Sequence, residues 1–202
     1  LGGERKLVTI LFADVIGFTT ISEKQQPEQV VALLNEYFEE MTDIIFRWEG
    51  TLDKFVGDEI MVFWGAPLDQ PDHAERAVAC ALEMSGRLDM LRRRWTERGV
   101  EGLDCGIGIN TGEVVIGNIG AQGKKMDYTA IGDHVNLAAR VEKLTREHRT
   151  RILITENTYR AVSSAAGQGP LKTAVFTGLG AVKVKGKEQE VRIYGCREDQ
   201  AG

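Results

Sequence analysis

Cysteine is scarce in this chain, and its three cysteines, Cys80, Cys105 and Cys196, lie far apart. A disulfide framework needs more cysteines than this, and a zinc site needs closer spacing. The sequence therefore predicts a domain that works in a reducing, cytoplasmic compartment. No run of about 18 apolar residues is present and no signal peptide is visible, so we expect no membrane contact by this domain, although a full-length protein that contains it can be membrane-anchored.

An excess of basic residues is also absent. The 25 Lys and Arg residues are outnumbered by 30 Asp and Glu residues, which gives a formal net charge of −5. Proteins that coat nucleic acid duplexes usually have a basic face, so nucleic acid is not an expected partner. Phosphate ligands remain compatible with this charge, because a bound metal ion can supply the positive charge.

The length of 202 residues is enough for one sizeable domain with its own core, and we expect residues 1–202 to form a single domain. The chain begins at Leu1 without a methionine. We therefore expect a domain that has been excised from a longer, multidomain protein.

Apolar patterning predicts the order of the secondary structure elements. The run KLVTILFADV predicts a buried strand that ends near Asp14, and Pro27 suits the first turn of a long helix. The remaining predicted elements are strands over 52–56 and 59–64 joined by Gly57-Asp58, a helix capped by Asp72, a hairpin around Thr111-Gly112, a helix capped by Asp133 and a β-rich tail. This order lacks regular strand–helix alternation. It predicts an α+β fold, a ferredoxin-like sandwich with extensions in which helices cover an antiparallel-rich sheet.

Two aspartates stand at the ends of predicted strands. Asp14 ends the first strand, and Asp58 lies at the tip of the predicted hairpin. If the two strands are neighbours, both carboxylates reach the same sheet edge, where with a phosphate ligand they suit a magnesium ion. Aspartate is also common in turns and caps, and taken singly each residue fits that role.

The residues after Asp14 predict a phosphate-binding turn. Ile16, Gly17, Phe18 and Thr19 follow the strand and precede a helix. A short turn that contains glycine can present successive backbone N–H groups to a triphosphate.

Five blocks of sequence, in this order, resemble the class III nucleotidyl cyclase catalytic domain. The blocks are FADVIGFT, DKFVGDEIMVFWG, GINTGEVVIGNIG, DYTAIGDHVNLAARVE and VKGKEQEVRIY, and the resemblance covers residues 5 to 196. It implies an enzyme of signal transduction that converts ATP to 3′,5′-cyclic AMP and pyrophosphate by in-line attack of the ribose 3′-hydroxyl on the α-phosphate. It also implies that Asp14 and Asp58 bind two metal ions per site, Mg²⁺ or Mn²⁺.

The same resemblance implies that Lys54 and Thr129 bind and select the nucleobase. Lysine can only donate hydrogen bonds and suits the ring nitrogen of adenine, whereas a threonine hydroxyl can accept from the adenine amino group. With threonine at the second of these positions, the sequence resembles a bacterial-type subgroup of adenylyl cyclases. Many other members have aspartate there.

The resemblance further implies that Asn136 orients the ribose and that Arg140 neutralises charge on the α-phosphate. These residues lie four apart on a predicted helix and so share one face. Lys185 matches the lysine that contacts the terminal phosphates, and Lys187 is an alternative donor.

Two residue sets on one chain imply a head-to-tail homodimer. In the resembled family, one protomer supplies the metal-binding aspartates and its partner completes the site, so two equivalent sites form at the interface. An upstream sensor or regulatory domain is the other expected partner.

Two alternatives to the adenylyl cyclase remain. One is a diguanylate cyclase, whose Gly-Gly-Asp-Glu signature differs from Val56-Gly57-Asp58-Glu59, and the other is a degenerate cyclase domain that only binds nucleotide or transmits a signal.

Overall fold

A computed structural model of the chain describes residues 2–200, which form one mixed sheet with helices on both faces. The strands are β1 (Glu4–Ile16), β2 (Thr51–Val56), β3 (Glu59–Trp64), β4 (Asp104–Ala121), β5 (Lys125–Ile131), β6 (Ile152–Thr155), β7 (Ala174–Val182) and β8 (Val191–Glu198). The α-helices are α1 (Phe18–Lys24), α2 (Pro27–Arg47), α3 (His73–Glu97), α4 (Asp133–His148) and α5 (Glu156–Val162).

The sheet has the strand order β2-β3-β1-β4-β6-β8-β7, and β5 pairs with the far end of β4. The pairs β2–β3, β3–β1 and β1–β4 are all antiparallel, and among the described strands only β4–β6 is a parallel pair. The first four strands with α2 and α3 therefore form the ferredoxin-like unit, which β5 to β8 extend. The predicted α+β fold is confirmed.

Strand β1 is buried on both faces, which explains its continuous apolar run. Leu11, Ala13 and Val15 belong to the core cluster that includes α2 and α3. Val8, Ile10 and Phe12 alternate with them and belong to the cluster that includes residues of α4. Because side chains alternate along a strand, Asp14 shares the face of Phe12 and lies on the α4 side of the sheet.

The hairpin predicted around Thr111-Gly112 is wrong. Strand β4 runs without interruption through both residues and pairs with β1 from Asp104 to Ile116. Thr111 Oγ1 lies 2.9 Å from Thr9 Oγ1 on the neighbouring strand. A Cβ at position 112 would lie 2.2 Å from the ring of His134, so glycine is required here by the close approach of α4 rather than by a turn.

The three cysteines are free and buried. Among the described helices, none combines the length and the apolar composition needed to cross a lipid bilayer.

Candidate active site

The fold brings Asp14 and Asp58 together, as the sequence predicts. Strand β3 pairs directly with β1, so the β2–β3 turn lies beside the end of β1. The backbone N–H of Val15 donates to Asp58 Oδ2 at 3.0 Å. Burial and the adjoining carboxyl group of Asp14 raise the pKa of Asp58 to about 7. Burial also disfavours the charged form of Asp14, but hydrogen bonds with Asp58 and Lys143 outweigh it, so the pKa of Asp14 lies below its ordinary value.

Two further carboxylates, which sequence reasoning missed, complete an acidic cluster that we define as Asp14, Asp58, Glu59 and Glu142. Carboxylate oxygens of Asp14, Glu59 and Glu142 lie within 4.8 Å of one another. The Glu142 side chain is fully buried, and burial raises its pKa. Both glutamates were visible in the sequence, Glu59 next to Asp58 and Glu142 in the RVE triplet, but only the tertiary structure places α4 against the end of β1.

The ammonium group of Lys143 lies inside this acidic cluster. Its Nζ is 2.8 Å from Asp14 Oδ2, 3.4 Å from Glu59 Oε2 and 3.1 Å from Glu142 Oε2. Arg146, one turn further along α4, contacts Asp14 Oδ2 at 3.5 Å and Glu142 Oε1 at 3.2 Å. Burial lowers the pKa of Lys143, but the carboxylates of Asp14 and Glu142 outweigh this effect, so the pKa of Lys143 lies above its ordinary value. A cation thus balances the carboxylates within the chain itself.

The donor set fits a hard divalent cation. Its ligand atoms are carboxylate oxygens, which Mg²⁺ and Mn²⁺ prefer. Glu142 Oε2 is buried and accepts no hydrogen bond from the described residues, although the Lys143 ammonium lies close to it. A buried anionic oxygen of this kind favours a cation as its neighbour.

Replacing Lys143 by methionine should tighten binding of Mn²⁺ to the nucleotide-free domain by about tenfold, which corresponds to about 1.4 kcal/mol. The reason is that an incoming ion no longer has to displace an internal cation from the same oxygens. The free Mn²⁺ signal in electron paramagnetic resonance measures this affinity directly. Lys172→Met removes an exposed lysine outside the acidic cluster and serves as the matched control. Unchanged or weaker Mn²⁺ binding by Lys143→Met would show that the ammonium does not compete with the ion.

The two residues predicted to contact the base lie close to one carboxylate, that of Asp53. Thr129 is buried on β5 and donates a hydrogen bond from Oγ1 to Asp53 Oδ2 at 2.5 Å. Lys54 Nζ on β2 lies 3.6 Å from Asp53 Oδ1. Strands β2 and β5 thus bring together residues that are distant in sequence, and Asp53 is a neighbour that sequence reasoning missed.

The residues predicted to contact the ribose and phosphates lie around the first half of α4. Asn136 is exposed. Arg140 lies against the β7–β8 loop, since a Cβ at Gly186 would be 3.1 Å from Arg140 Nη2. Lys187 forms an ion pair with Asp133, whereas Lys185 is exposed and forms no ion pair with residues 2–200. Of the two lysines, Lys185 is therefore the one available to an incoming phosphate.

The predicted phosphate-binding turn is short, because β1 continues through Ile16 and only Gly17 separates it from α1. Gly17 has φ 85°, a left-handed conformation that favours glycine, and α1 begins at Phe18. Phe18 packs against the core while Thr19 is exposed. The turn thus lies beside the acidic cluster, at the end of the same strand.

Within one chain the two predicted residue sets are held by separate networks of contacts. Among residues 2–200, no hydrogen bond or ion pair joins the acidic cluster to Lys54, Thr129, Asn136 or Arg140. The sets are positioned by different elements, the cluster by β1, the β2–β3 turn and the second half of α4, and the others by β2, β5 and the first half of α4.

Three known proteins are similar to the chain over almost its whole length. Adenylate cyclase 1 of Rhizobium meliloti (strain 1021) is 37% identical over 191 residues, which cover 94% of this chain and 27% of that protein. The crystal structure of the adenylyl cyclase CyaB from P. aeruginosa has a TM-score of 0.88 at 36% identity and covers 99% of this chain and 98% of that one. The crystal structure of the guanylyl cyclase Cya2 has a TM-score of 0.85 at 42% identity, with coverage of 97% and 94%.

The family model described as the adenylate and guanylate cyclase catalytic domain matches residues 3–196. This match supports the predicted class III cyclase rather than a diguanylate cyclase. Of these two solved structures, one is named an adenylyl cyclase and the other a guanylyl cyclase, so the likeness alone leaves the base preference open. The chain therefore belongs to the family of adenylate and guanylate cyclase catalytic domains.

Proposed function

We propose that this domain is an adenylyl cyclase that converts ATP to 3′,5′-cyclic AMP and pyrophosphate. The observation that supports ATP most strongly is the placement of Lys54 and Thr129 beside one buried carboxylate, since it gives the base a donor-only ammonium next to a hydroxyl. Adenine has an acceptor ring nitrogen beside an amino donor on its pairing edge, whereas guanine has a ring N–H beside a carbonyl. The pair is therefore complementary to adenine.

The reaction forms a bond between the ribose 3′-oxygen and the α-phosphorus and breaks the bond from that phosphorus to the oxygen that bridges to the β-phosphate. Divalent ions held by Asp14 and Asp58, when bound, would favour loss of the hydroxyl proton and offset the charge of the triphosphate. Arg140 offers its guanidinium where charge develops on the α-phosphate, and Asn136 is exposed on the same helix face to orient the ribose. The backbone of residues 16–19 and the Lys185 ammonium are available to the β- and γ-phosphates.

We also propose that a complete site forms between two copies of this chain in a head-to-tail homodimer. Among residues 2–200, no hydrogen bond or ion pair joins the metal-binding residues to the base-binding residues, which supports a site that two copies share. The strands β2 and β5, which carry Lys54 and Thr129, also carry large apolar side chains that are exposed in the single chain: Phe55, Val56, Met126 and Ile131. Burial of such side chains against a second copy would stabilise the dimer.

The chain spans 27% of the length of Adenylate cyclase 1 of Rhizobium meliloti. By analogy, we propose that this domain is the catalytic output of a longer protein in which an upstream domain receives the signal. The sequence prediction of a cytoplasmic location is part of this proposal.

The function is tested by incubating the purified domain with ATP or GTP and with Mg²⁺ or Mn²⁺, and by identifying the product with mass spectrometry. We expect cyclic AMP and pyrophosphate in equal amounts from ATP, and much slower formation of cyclic GMP. A product confined to cyclic GMP would contradict the proposed base preference. Nucleotide binding without any cyclic product under either metal would instead support the degenerate domain.

A further inference from the structure

A buried carboxylate lies behind the two residues that we propose to read the base. The Asp53 side chain is fully buried. Its Oδ2 accepts hydrogen bonds from Thr129 Oγ1 at 2.5 Å and from the Ala130 backbone N–H at 3.3 Å. Its other oxygen, Oδ1, accepts no hydrogen bond from residues 2–200 and lies 3.6 Å from the Lys54 ammonium. Burying a carboxylate with so few partners is costly, which argues that the residue has a purpose beyond packing.

A β-bulge directs this carboxylate toward Thr129. Leu52 pairs with Val62 and Lys54 pairs with Met61, so Asp53 has no partner on β3. In a regular strand, consecutive side chains point to opposite faces, whereas a bulge re-aims them locally. Here Asp53 contacts Thr129 while the adjacent Lys54 stays within ion-pair distance of the same carboxylate.

We propose that Asp53 is a positioning residue that sets the base preference of the site by fixing the direction of the Thr129 hydroxyl proton. This inference rests on the proposed function. A threonine hydroxyl has one proton to donate and two lone pairs that can accept. Because a carboxylate is the stronger acceptor, the proton of Thr129 points toward Asp53, and only lone pairs face the nucleotide.

This arrangement makes Thr129 an acceptor toward the base. The amino group of adenine can donate to it, whereas the carbonyl oxygen of guanine meets another lone pair and gains no hydrogen bond. Without Asp53 the hydroxyl can rotate and donate to that carbonyl, so the site loses one of its two means of rejecting guanine. Asp53 does not itself contact the base, and it acts through Thr129.

The test compares the wild-type domain with Asp53→Leu, which removes the acceptor, and Asp53→Asn, whose amide oxygen can still accept from Thr129. Competition binding uses the α,β-methylene analogues of ATP and GTP, which cannot cyclise. It gives the dissociation constant of the GTP analogue divided by that of the ATP analogue. Turnover of the two nucleotides gives kcat/KM for ATP divided by kcat/KM for GTP. We expect both ratios to fall about tenfold or more in Asp53→Leu and to be largely retained in Asp53→Asn. Asp43→Leu removes an exposed carboxylate of α2 and is the matched control, with no change expected.

A double-mutant cycle separates positioning from a general structural effect. In a Thr129→Val background no hydroxyl remains to orient, so Asp53→Leu should change neither the ratio of dissociation constants nor the ratio of kcat/KM any further. If Asp53→Leu does not fold, Asp53→Ala removes the same acceptor without added bulk and must show the same fall. An unchanged ratio in a folded variant overturns the inference, as does an equal fall in Asp53→Asn or an undiminished effect in the Thr129→Val background.

The binding measurement also separates this inference from the proposed function. If the wild type binds the analogues but forms no cyclic nucleotide, the proposed function fails while the role of Asp53 is still decided by the binding ratios. If ATP is cyclised but the ratio is insensitive to Asp53, the function stands and the inference fails. Failure of the wild type to bind either analogue overturns both.

Discussion

Replacing Asp14 or Asp58 by alanine should lower the rate of cyclic AMP formation about a thousandfold or more at saturating ATP. Both carboxylates lie in the acidic cluster. They are close neighbours, because burial together with the adjoining Asp14 carboxyl group raises the pKa of Asp58 to about 7. Loss of either one removes a ligand from a site that has few protein ligands, and a loss of several kcal/mol of transition-state stabilisation corresponds to this factor.

The measurement is the initial rate over a titration of Mg²⁺ and Mn²⁺, with circular dichroism and thermal unfolding as tests of folding. Asp69→Ala is the matched control, because Asp69 is an exposed carboxylate that pairs with Lys6 away from the cluster. Near-normal turnover of Asp14→Ala or Asp58→Ala at limiting metal concentration would contradict the assignment of these residues as metal ligands.

Mixing two inactive variants should restore activity. Asp58→Ala damages the metal-binding set, and Arg140→Ala damages the set that contacts the α-phosphate, so each homodimer has two defective sites. In a mixed dimer, one site contains both defects and the other contains none. Random mixing of equal amounts makes about half of the dimers mixed, so activity should recover to about a quarter of the wild-type value if the two sites are independent.

This recovery is measured after the two variants have exchanged subunits, with different affinity tags to prove that mixed dimers form. As a control, Asp14→Ala mixed with Asp58→Ala should restore nothing, because both substitutions damage the same set. If mixed dimers are present and the first mixture stays inactive, the site does not span the interface in the proposed way.

Local patterns in the sequence determined most of the fold. The apolar run of β1, Pro27 at the start of α2 and the Gly57-Asp58 turn all lie in the structure where they were predicted. These signals are local, since helix and strand periodicity, capping and turn chemistry depend on neighbouring residues. The Thr111-Gly112 hairpin was wrong because the same dipeptide also suits a long strand whose glycine admits the ring of His134.

For the site, the sequence by itself determined the family, through its ordered motif blocks, and the pair Asp14 and Asp58, because each aspartate ends an apolar strand. Only the tertiary structure decided their neighbours. Lys143 is 129 positions from Asp14, and Thr129 is 76 positions from Asp53, yet each pair is hydrogen-bonded. Contacts of this kind depend on the order of strands in the sheet and on which helix packs over which face. Neither of these produces a periodic pattern in the amino-acid sequence. The bulge at Asp53 is the clearest case, since a one-residue shift in pairing with β3 turns an unremarkable aspartate into the buried partner of Thr129.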